Sequence, residues 1–231
     1  MSTDGRTGSD RVDYTGEGLS EAQAPDAPLL VVQAWLDEAI VRGRERGDVP
    51  EPTALSVATV DADGMPDVRT VLMRYLDATG PAFFTGLSSA KGRQLAARPV
   101  MAAALTWPSM FRAVRFRGQA HQLDRGLVTD YFRSRPYGSR ISAHASAQSS
   151  PVAGRAELEQ TYRDCEQRWP DHGDPEDVPV PEHWGGFRLV PDSVELWAGR
   201  RGRLHDRIVW DRLGPGGLDD PAAWRRGRLQ P

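Results

Sequence analysis

Arg203-Leu204-His205-Asp206-Arg207 places two guanidiniums and an imidazole at alternate positions, six residues past Trp197. If the segment is a strand, alternate side chains share a face, and Arg203, His205 and Arg207 point the same way. Three convergent donors suit a ligand that carries phosphate or an electron-rich ring. Leu204 and Ile208 are apolar enough to tie the segment to a core. The same charges on a solvated edge strand would discourage aggregation, so this segment alone does not decide between ligand and edge.

Other groups add to the choice. Arg69-Thr70-Val71-Leu72-Met73-Arg74 reads as a strand with a basic residue at each end. Five residues apart, Arg69 and Arg74 face opposite ways in a regular strand, so one could meet a phosphate and the other a second ligand, although an ordinary strand with solvated ends accounts for them more simply. Ser88-Ser89-Ala90-Lys91 opens a helix, where hydroxyls, backbone N–H groups and a lysine form an anion site. Capping by itself also accounts for the serines.

Tyr131, Arg135 and Ser139 recur every four residues. Helical spacing stacks Tyr131 above Arg135, and Pro136 starts the segment that brings Ser139 round. Phenol, guanidinium and hydroxyl make a cradle for a monophosphate. Ala147-Gln148-Ser149-Ser150-Pro151 is a polar turn whose amide suits a ring edge. In Trp184-Gly185-Gly186-Phe187-Arg188 two glycines allow close backbone approach, which reads as structural. His121, His144, His172, His183 and His205 are scattered and Cys165 falls on a helix, so no metal-ligand set stands out. The chain has no Walker loop, Gly-x-Gly-x-x-Gly or nucleophile elbow.

Positioning these groups takes an ordinary globular framework. With 231 residues, 39% of them hydrophobic, the chain fits one sizeable domain. Acids outnumber bases, 32 to 29, which speaks against a general nucleic-acid binder. One cysteine permits no internal disulfide. No signal-peptide pattern opens the chain, and no run approaches the roughly 20 apolar residues of a membrane span. The expectation is a soluble cytoplasmic protein.

Residues 1–26, rich in Gly, Asp, Ser and Thr, read as a mobile arm, and residues 27–231 as the single domain. Leu29, Val32, Leu36 and Ile40 give helical spacing from Pro28 to about Arg42. Strands follow at Ala54–Val60, Val68–Tyr75, Pro81–Thr85, Val100–Trp107 and Phe111–Leu123, with a turn at Asp61-Ala62-Asp63-Gly64. Helices are expected at Ser89–Ala97, Asp124–Arg135 and Gly154–Trp169. A polar linker spans roughly 170–181, and the last strands are Gly186–Val190, Val194–Trp197, Leu204–Trp210 and Trp224–Leu229. Short strands with few helices predict a mainly β, antiparallel barrel with peripheral helices, an α+β class.

Taken in order, Arg11-Val12-Asp13-Tyr14, Tyr131-Phe132-Arg133-Ser134-Arg135-Pro136, Gln148-Ser149-Ser150, Trp184-Gly185-Gly186-Phe187-Arg188 and Arg203-Leu204-His205-Asp206-Arg207 carry a resemblance. The chain resembles the pyridoxine/pyridoxamine 5′-phosphate oxidase family over nearly its whole length. That resemblance implies an FMN-binding split β-barrel and a homodimer with flavin sites at the subunit interface. It also implies oxidation of a phosphorylated B6 vitamer to pyridoxal 5′-phosphate, with O2 as acceptor and H2O2 as product.

By the same resemblance, Arg69, Lys91 and Ser149 hold the FMN phosphate or its surroundings. Thr70, Val71, Leu72, Met73, Arg74, Phe84, Thr85, Gln148, Trp197 and Arg207 line the rest of the flavin site. Tyr131, Arg135 and Ser139 grip the substrate phosphate, with Arg74 also a substrate contact. Arg203 and His205 sit over the pyridine ring as the catalytic pair, and Arg11 and Tyr14 fold over the substrate. Five positions depart from the pattern: Arg74 replaces a lysine, Ala113 a flavin-contacting glutamine, Ala90 a frequent arginine, and Ser142 and His144 the Gly and Trp of a Gly-Ala-Trp segment. One lost flavin hydrogen bond costs about 1 kcal/mol, so the departures bear on the substrate more than on the cofactor. Two rival readings are a relative that oxidises another small aromatic metabolite in specialised metabolism and a non-catalytic flavin- or pyridoxal-phosphate-binding protein. A nucleic-acid module built on Arg112, Arg115 and Arg117 is a more distant third.

Overall fold

The computed structural model describes residues 13–231. Helix α1, Leu29–Arg46, buries Leu29, Val31, Val32, Trp35 and Ala39 and stops where Gly47 turns left-handed at φ 71°, as C-terminal glycines do. It runs one turn further than its apolar spacing predicts. Strands β1 (Ala54–Val60), β2 (Pro66–Asp77) and β3 (Gly80–Gly86) form a meander. The β1–β2 turn is held by Asp61, whose carboxylate accepts the Asp63 and Met65 N–H groups. Helix α2 (Ala90–Ala97) is capped by Ser89, which accepts from the Gly92 N–H. Strands β4 (Val100–Trp107) and β5 (Arg112–Gln122) follow, then helices α3 (Arg125–Ser134), α4 (Tyr137–Ala145) and α5 (Arg155–Arg168). Strands β6 (Trp184–Ala198), β7 (Asp206–Arg212) and β8 (Trp224–Arg228) complete the fold.

Every pairing is antiparallel, in the order β3-β2-β1-β4-β5-β6, and β3 also pairs with β6 to close a six-stranded barrel. Strands β7 and β8 extend the sheet beyond β6. The fold is thus the antiparallel, mainly β barrel with peripheral helices expected from the strand pattern, and the split barrel that the resemblance implies. No helix among the described residues is long and apolar enough to cross a membrane.

Strand β6 corrects the sequence reading, which divided it at Pro191-Asp192. It is one strand of 15 residues. Residues 184–188 pair with β3 and 193–198 with β7, while β5 runs alongside both halves. The division falls at Pro191, which has no N–H to give a ladder, opposite a register shift at Arg117/Gly118. A Cβ on Gly118 would lie 2.2 Å from the Val190 carbonyl, so only glycine lets the strands approach there. Pro191 marks a fork in the sheet, and a bulge absorbs it.

The main core fills the barrel and reaches α1 and β6–β8 through Val32, Trp35, Phe116, Leu196 and Trp210. A smaller core under α3 and α4 holds Val128, Phe132, Ile141 and Trp184. The boundary drawn at residue 26 does not match the packing. Leu19 and Ala24 are buried in the main core, and the Leu19 N–H donates to Asp206 at 2.9 Å.

Asp206 also accepts from Arg228 at 2.6 Å and Arg200 at 3.4 Å. Burial raises its carboxyl pKa, but the Leu19 N–H and the Arg228 guanidinium outweigh burial and hold the group below the usual carboxylate range. Its charge therefore stabilises the fold above the unfolded carboxylate value of about 3.9, and this stabilisation is lost as pH falls through the lower, folded value. Replacing Asp206 with Ala should cost about 3 kcal/mol, as breaking a buried ion pair does, measured by urea unfolding at pH 7. Asp206→Asn should flatten the fall in stability between about pH 5 and pH 2; an unchanged slope would refute the assignment.

Candidate active site

A cleft of about 520 Å3 opens between β2, β3, the start of α2, α3–α4 and the first residue of β6. Its lining includes Thr70, Val71, Leu72, Arg74, Phe84, Thr85, Lys91, Tyr131, Arg135, Ser139 and Gln148. Three of these are cations, and among the described residues no carboxylate lines the cleft. Positive charge gathered on a wall that carries no carboxylate makes a site for an anion.

One wall is aromatic. Tyr131 stacks on Phe84 with ring centres 4.0 Å apart and planes 15° apart, and Phe84 stacks on Trp184 at 5.3 Å and 7°. Arg135 closes α3 and lays its guanidinium over Trp184 at 4.9 Å and Phe132 at 5.7 Å. Its Nη1 is buried without any hydrogen-bond partner. Burial lowers its pKa, with the Tyr131 phenol opposing and the like charge of Arg74 adding to the shift. Buried guanidinium nitrogens are normally satisfied, so this vacant donor marks where an acceptor belongs.

Arg74 reaches the cleft because of a bulge. Met73 pairs with Phe83 and Tyr75 with Ala82, so Arg74 is the extra residue between them. Met73 itself turns into the barrel core, with its N–H given to the Thr53 carbonyl. It is the one residue of Arg69–Arg74 whose side chain is buried in the core. Ser139 lies in the first turn of α4, a helix the sequence marked only by Pro136.

At the opposite end Lys91 is buried and donates to Thr85 Oγ1 at 3.1 Å. Thr85 donates in turn to Gln148 Oε1 at 2.8 Å, which also accepts the Gly86 N–H at 3.1 Å. Burial lowers the Lys91 pKa, and the nearby Arg69 charge adds to the effect. Arg69 stands behind this row and does not line the cleft; it donates to Thr59 Oγ1 at 2.6 Å and Gln94 Oε1 at 3.1 Å and pairs with Asp67. Ser149 follows Gln148 in a left-handed conformation, φ 71°. Strain of this kind costs on the order of 1–3 kcal/mol and clusters at functional sites.

A second cluster forms where β6 ends. Tyr14, Phe111, Trp197 and His205 pack edge to face or tilted, with ring centres 4.8–5.9 Å apart. The Arg203 guanidinium lies 5.9 Å above the Tyr14 ring. His205 Nδ1 accepts the Arg200 N–H at 3.1 Å, so the ring's proton sits on Nε2. The predicted alternation along a strand does not hold here. Arg203 is in a left-handed turn after Gly202, φ 65° and 64°, and β7 begins only at Asp206. Tyr14, not strand periodicity, brings Arg203 and His205 together. Arg207 points elsewhere, to Glu195 and the Gln230 carbonyl.

None of Tyr14, Trp197, Arg203, His205 or Arg207 lines the cleft. Trp184 and Trp197 stand 13 residues apart on β6, roughly 40 Å along a straight strand. Within one chain the two groups are held apart. Arg11 lies outside the described residues.

A family model described as pyridoxamine 5′-phosphate oxidase matches residues 44–169. A pyridoxine/pyridoxamine 5′-phosphate oxidase of Ectopseudomonas mendocina is 44% identical over 222 residues, covering 96% of each chain. The chain belongs to the pyridoxamine 5′-phosphate oxidase family. A second model, for the C-terminal dimerisation region of pyridoxine 5′-phosphate oxidase, matches residues 184–231, which hold Trp197, Arg203, His205 and Arg207. Among solved structures, PhzG of Burkholderia lata in complex with tetrahydrophenazine-1-carboxylic acid has a TM-score of 0.80 at 27% identity, covering 94% of this chain and all of that one. An FMN-binding protein related to pyridoxamine 5′-phosphate oxidase, from Nostoc punctiforme, shares the fold at TM-score 0.64 and 18% identity, covering 86% of this chain and 97% of its own.

The departures from the family pattern now have places. His144 lies off the cleft, 4.2 Å from the Trp169 ring, with Nε2 bonded to the Pro179 carbonyl at 2.7 Å. It ties α4 to the segment before β6. Ser142 does line the cleft, and its hydroxyl is spent on the Gly138 carbonyl. Sequence reasoning missed Trp184, which it gave a structural role although an aromatic next to two glycines was a usable signal.

Because Arg135 holds a buried donor that nothing satisfies, Arg135→Met should melt no lower than wild type. It should also lower affinity for a phosphate ester at least about tenfold, the worth of one charge-assisted contact. Differential scanning fluorimetry with and without pyridoxal 5′-phosphate reads both; a large loss of stability would mean that Arg135 serves the fold.

Proposed function

We propose that the protein is a cytoplasmic, homodimeric, FMN-dependent oxidase that converts pyridoxamine or pyridoxine 5′-phosphate to pyridoxal 5′-phosphate. The observation that carries this reading is the cleft with three cations, an unsatisfied Arg135 nitrogen, an aromatic wall and, among the described residues, no carboxylate. Such a donor set fits ligands that combine phosphate with a flat ring.

The residues divide by position. Lys91, Thr85 and Gln148, backed by Arg69 and Ser149, would hold FMN, with the Thr70–Leu72 edge and Phe84 beside its ring. Arg135, Arg74, Tyr131 and Ser139 would grip the substrate phosphate. Trp197, Arg203, His205 and Arg207 would come from the second subunit, in keeping with the match to a dimerisation region and with the distance along β6. Tyr14, packed on Trp197 and His205, would close over the substrate.

When bound, FMN supplies a two-electron acceptor that O2 reoxidises. Pyridoxine phosphate then gives its aldehyde and H2O2, and pyridoxamine phosphate, with water, gives the same aldehyde, ammonia and H2O2. The protein's task is orientation. A phosphate clamp remote from the reacting carbon holds the substrate in register. Arg203 supplies positive charge near the reacting centre, and His205, with its proton on Nε2, donates a hydrogen bond to the substrate.

A relative acting on another aromatic metabolite is the second reading, and the similarity to PhzG favours it. The phosphate cradle weighs against it, and His144, one of the departures that suggested it, lies off the cleft. A nucleic-acid role loses its support because Arg112 is engaged by Glu38 and Arg115 by Glu195.

FMN-loaded protein should release H2O2 with pyridoxamine or pyridoxine 5′-phosphate, followed by a peroxidase-coupled assay. A colourless preparation that takes up no added FMN would sink the reading; a yellow one inert on both vitamers would favour the second. Arg203→Met should cut kcat at least about 100-fold, the worth of a charge contact made in the transition state, with FMN still bound.

A further inference from the structure

Glu195 is buried, 6% exposed, on a face of the sheet that points away from the barrel core. On β6 it lies two residues from Trp197, so both share that face. Across the ladder Glu195 stands opposite Arg115 of β5, and Trp197 stands opposite Ala113 of β5 and Arg207 of β7. Arg207 reaches diagonally to Glu195 with Nε at 2.8 Å and Nη2 at 3.1 Å, a forked contact, and Arg115 Nη2 bonds the same carboxylate. From its other side Arg207 donates Nη1 to the Gln230 carbonyl at 2.9 Å.

These contacts leave Arg207 little freedom. A guanidinium has five N–H groups; three are taken, one on each nitrogen, and one remains on each of Nη1 and Nη2. The arginines are the more exposed partners, with side chains 50% exposed for Arg115 and 26% for Arg207, against 7% for Glu195. A carboxylate sunk beneath two guanidiniums contributes little net stability, because desolvation offsets the attraction. What it does supply is orientation. Ala113 offers no hydrogen-bonding group beside Trp197, so Arg207 is the polar side chain that flanks the tryptophan across the ladder.

We infer that Glu195 is a positioning residue of the cofactor site, fixing the plane of Arg207 so that its free N–H groups face the flavin. The inference rests on the FMN reading and adds a residue to it that touches neither substrate nor cofactor. It also fixes a sign. On charge alone, Glu195→Gln removes a negative group near an anionic cofactor and should tighten its binding. Loss of positioning loosens it instead.

The test is titration of apo dimer with FMN, read by quenching of flavin fluorescence. Glu195→Gln should weaken FMN binding about tenfold, the worth of one charge-assisted hydrogen bond. In an Arg207→Met background the same change should have less than a twofold effect, because its route to the flavin is gone. Equal or tighter binding by Glu195→Gln overturns the inference. So does an undiminished loss in the Arg207→Met background, which would mean that Glu195 acts through the fold. Should Glu195→Gln fail to fold, Arg207→Lys carries the test, since it keeps the charge and lacks the fork. A tenfold loss there supports positioning and unchanged affinity overturns it. Failure of the wild-type protein to take up FMN would instead remove the functional reading itself.

Discussion

Strand β6 has more neighbours than a strand has edges. It pairs with β5 along both halves, with β3 only at its start and with β7 only at its end. A strand offers two edges, so β3 and β7 must share one edge in succession, and the sheet forks between them. The fork at Pro191 closes the barrel on one side and frees β7 and β8 on the other. It also sets the distance between the two groups of polar residues, since the cleft meets the start of β6 and the aromatic cluster meets its end. The chemistry of each group is local, but their separation is a property of this one strand.

The two groups differ in how their charge is met. Around Arg74, Lys91 and Arg135 no carboxylate among the described residues lines the cleft, and burial depresses the pKa of Lys91 and Arg135, against the pull of Asp67 on Lys91. Near β7 the arginines are compensated, Arg207 and Arg115 by Glu195 and Arg228 by Asp206 and Glu21. The first pattern leaves an electrostatic demand that a bound anion can satisfy; the second holds side chains in fixed orientations. Backbone strain follows the same division. The three non-glycine residues with positive φ among those described are Ser149, beside the cleft, and Phe111 and Arg203, in the cluster. Such residues persist only where surrounding packing over-determines them.

Much of the framework was legible in the sequence because it depends on local periodicity and end signals. Strands β1 and β4 run from Ala54 to Val60 and Val100 to Trp107, the bounds their apolar alternation predicts. Of the two serines that could cap α2, Ser89 does so, and Asp124, where the next helix was expected to open, caps α3. The misses come from long-range geometry. Pro191 reads as a break until Gly118 of β5 is placed against it. Arg203 reads as a strand residue until Gly202 turns the chain and Tyr14, nearly 190 positions earlier, packs between Arg203 and His205. Arg74 enters the cleft through a bulge that alternation cannot predict, since the extra residue is defined by its partner strand. Trp184 reads as a spacer next to glycines because its stack with Phe84 and Tyr131 joins three separate elements.

The charge count in the cleft also bears on which aromatic anion it prefers. Arg74 and Arg135 stand close enough for their charges to repel, and Arg135 lacks even one hydrogen-bond acceptor at Nη1. A phosphate ester brings close to two negative charges near neutral pH and three acceptor oxygens, enough to engage both guanidiniums, the Tyr131 phenol and the Ser139 hydroxyl. A single carboxylate brings one charge and two oxygens. It would leave the two guanidiniums with one negative charge between them, and the shortfall would cost most at half-buried Arg135, Arg74 being exposed. Under the proposed function, discrimination between the two ligand classes would arise from the penalty on the wrong one. Arginine at position 74 sharpens this, because its planar fork spans two oxygens of one phosphate where a lysine would meet one. The departure that first suggested a changed substrate is, on these grounds, consistent with a stricter demand for phosphate.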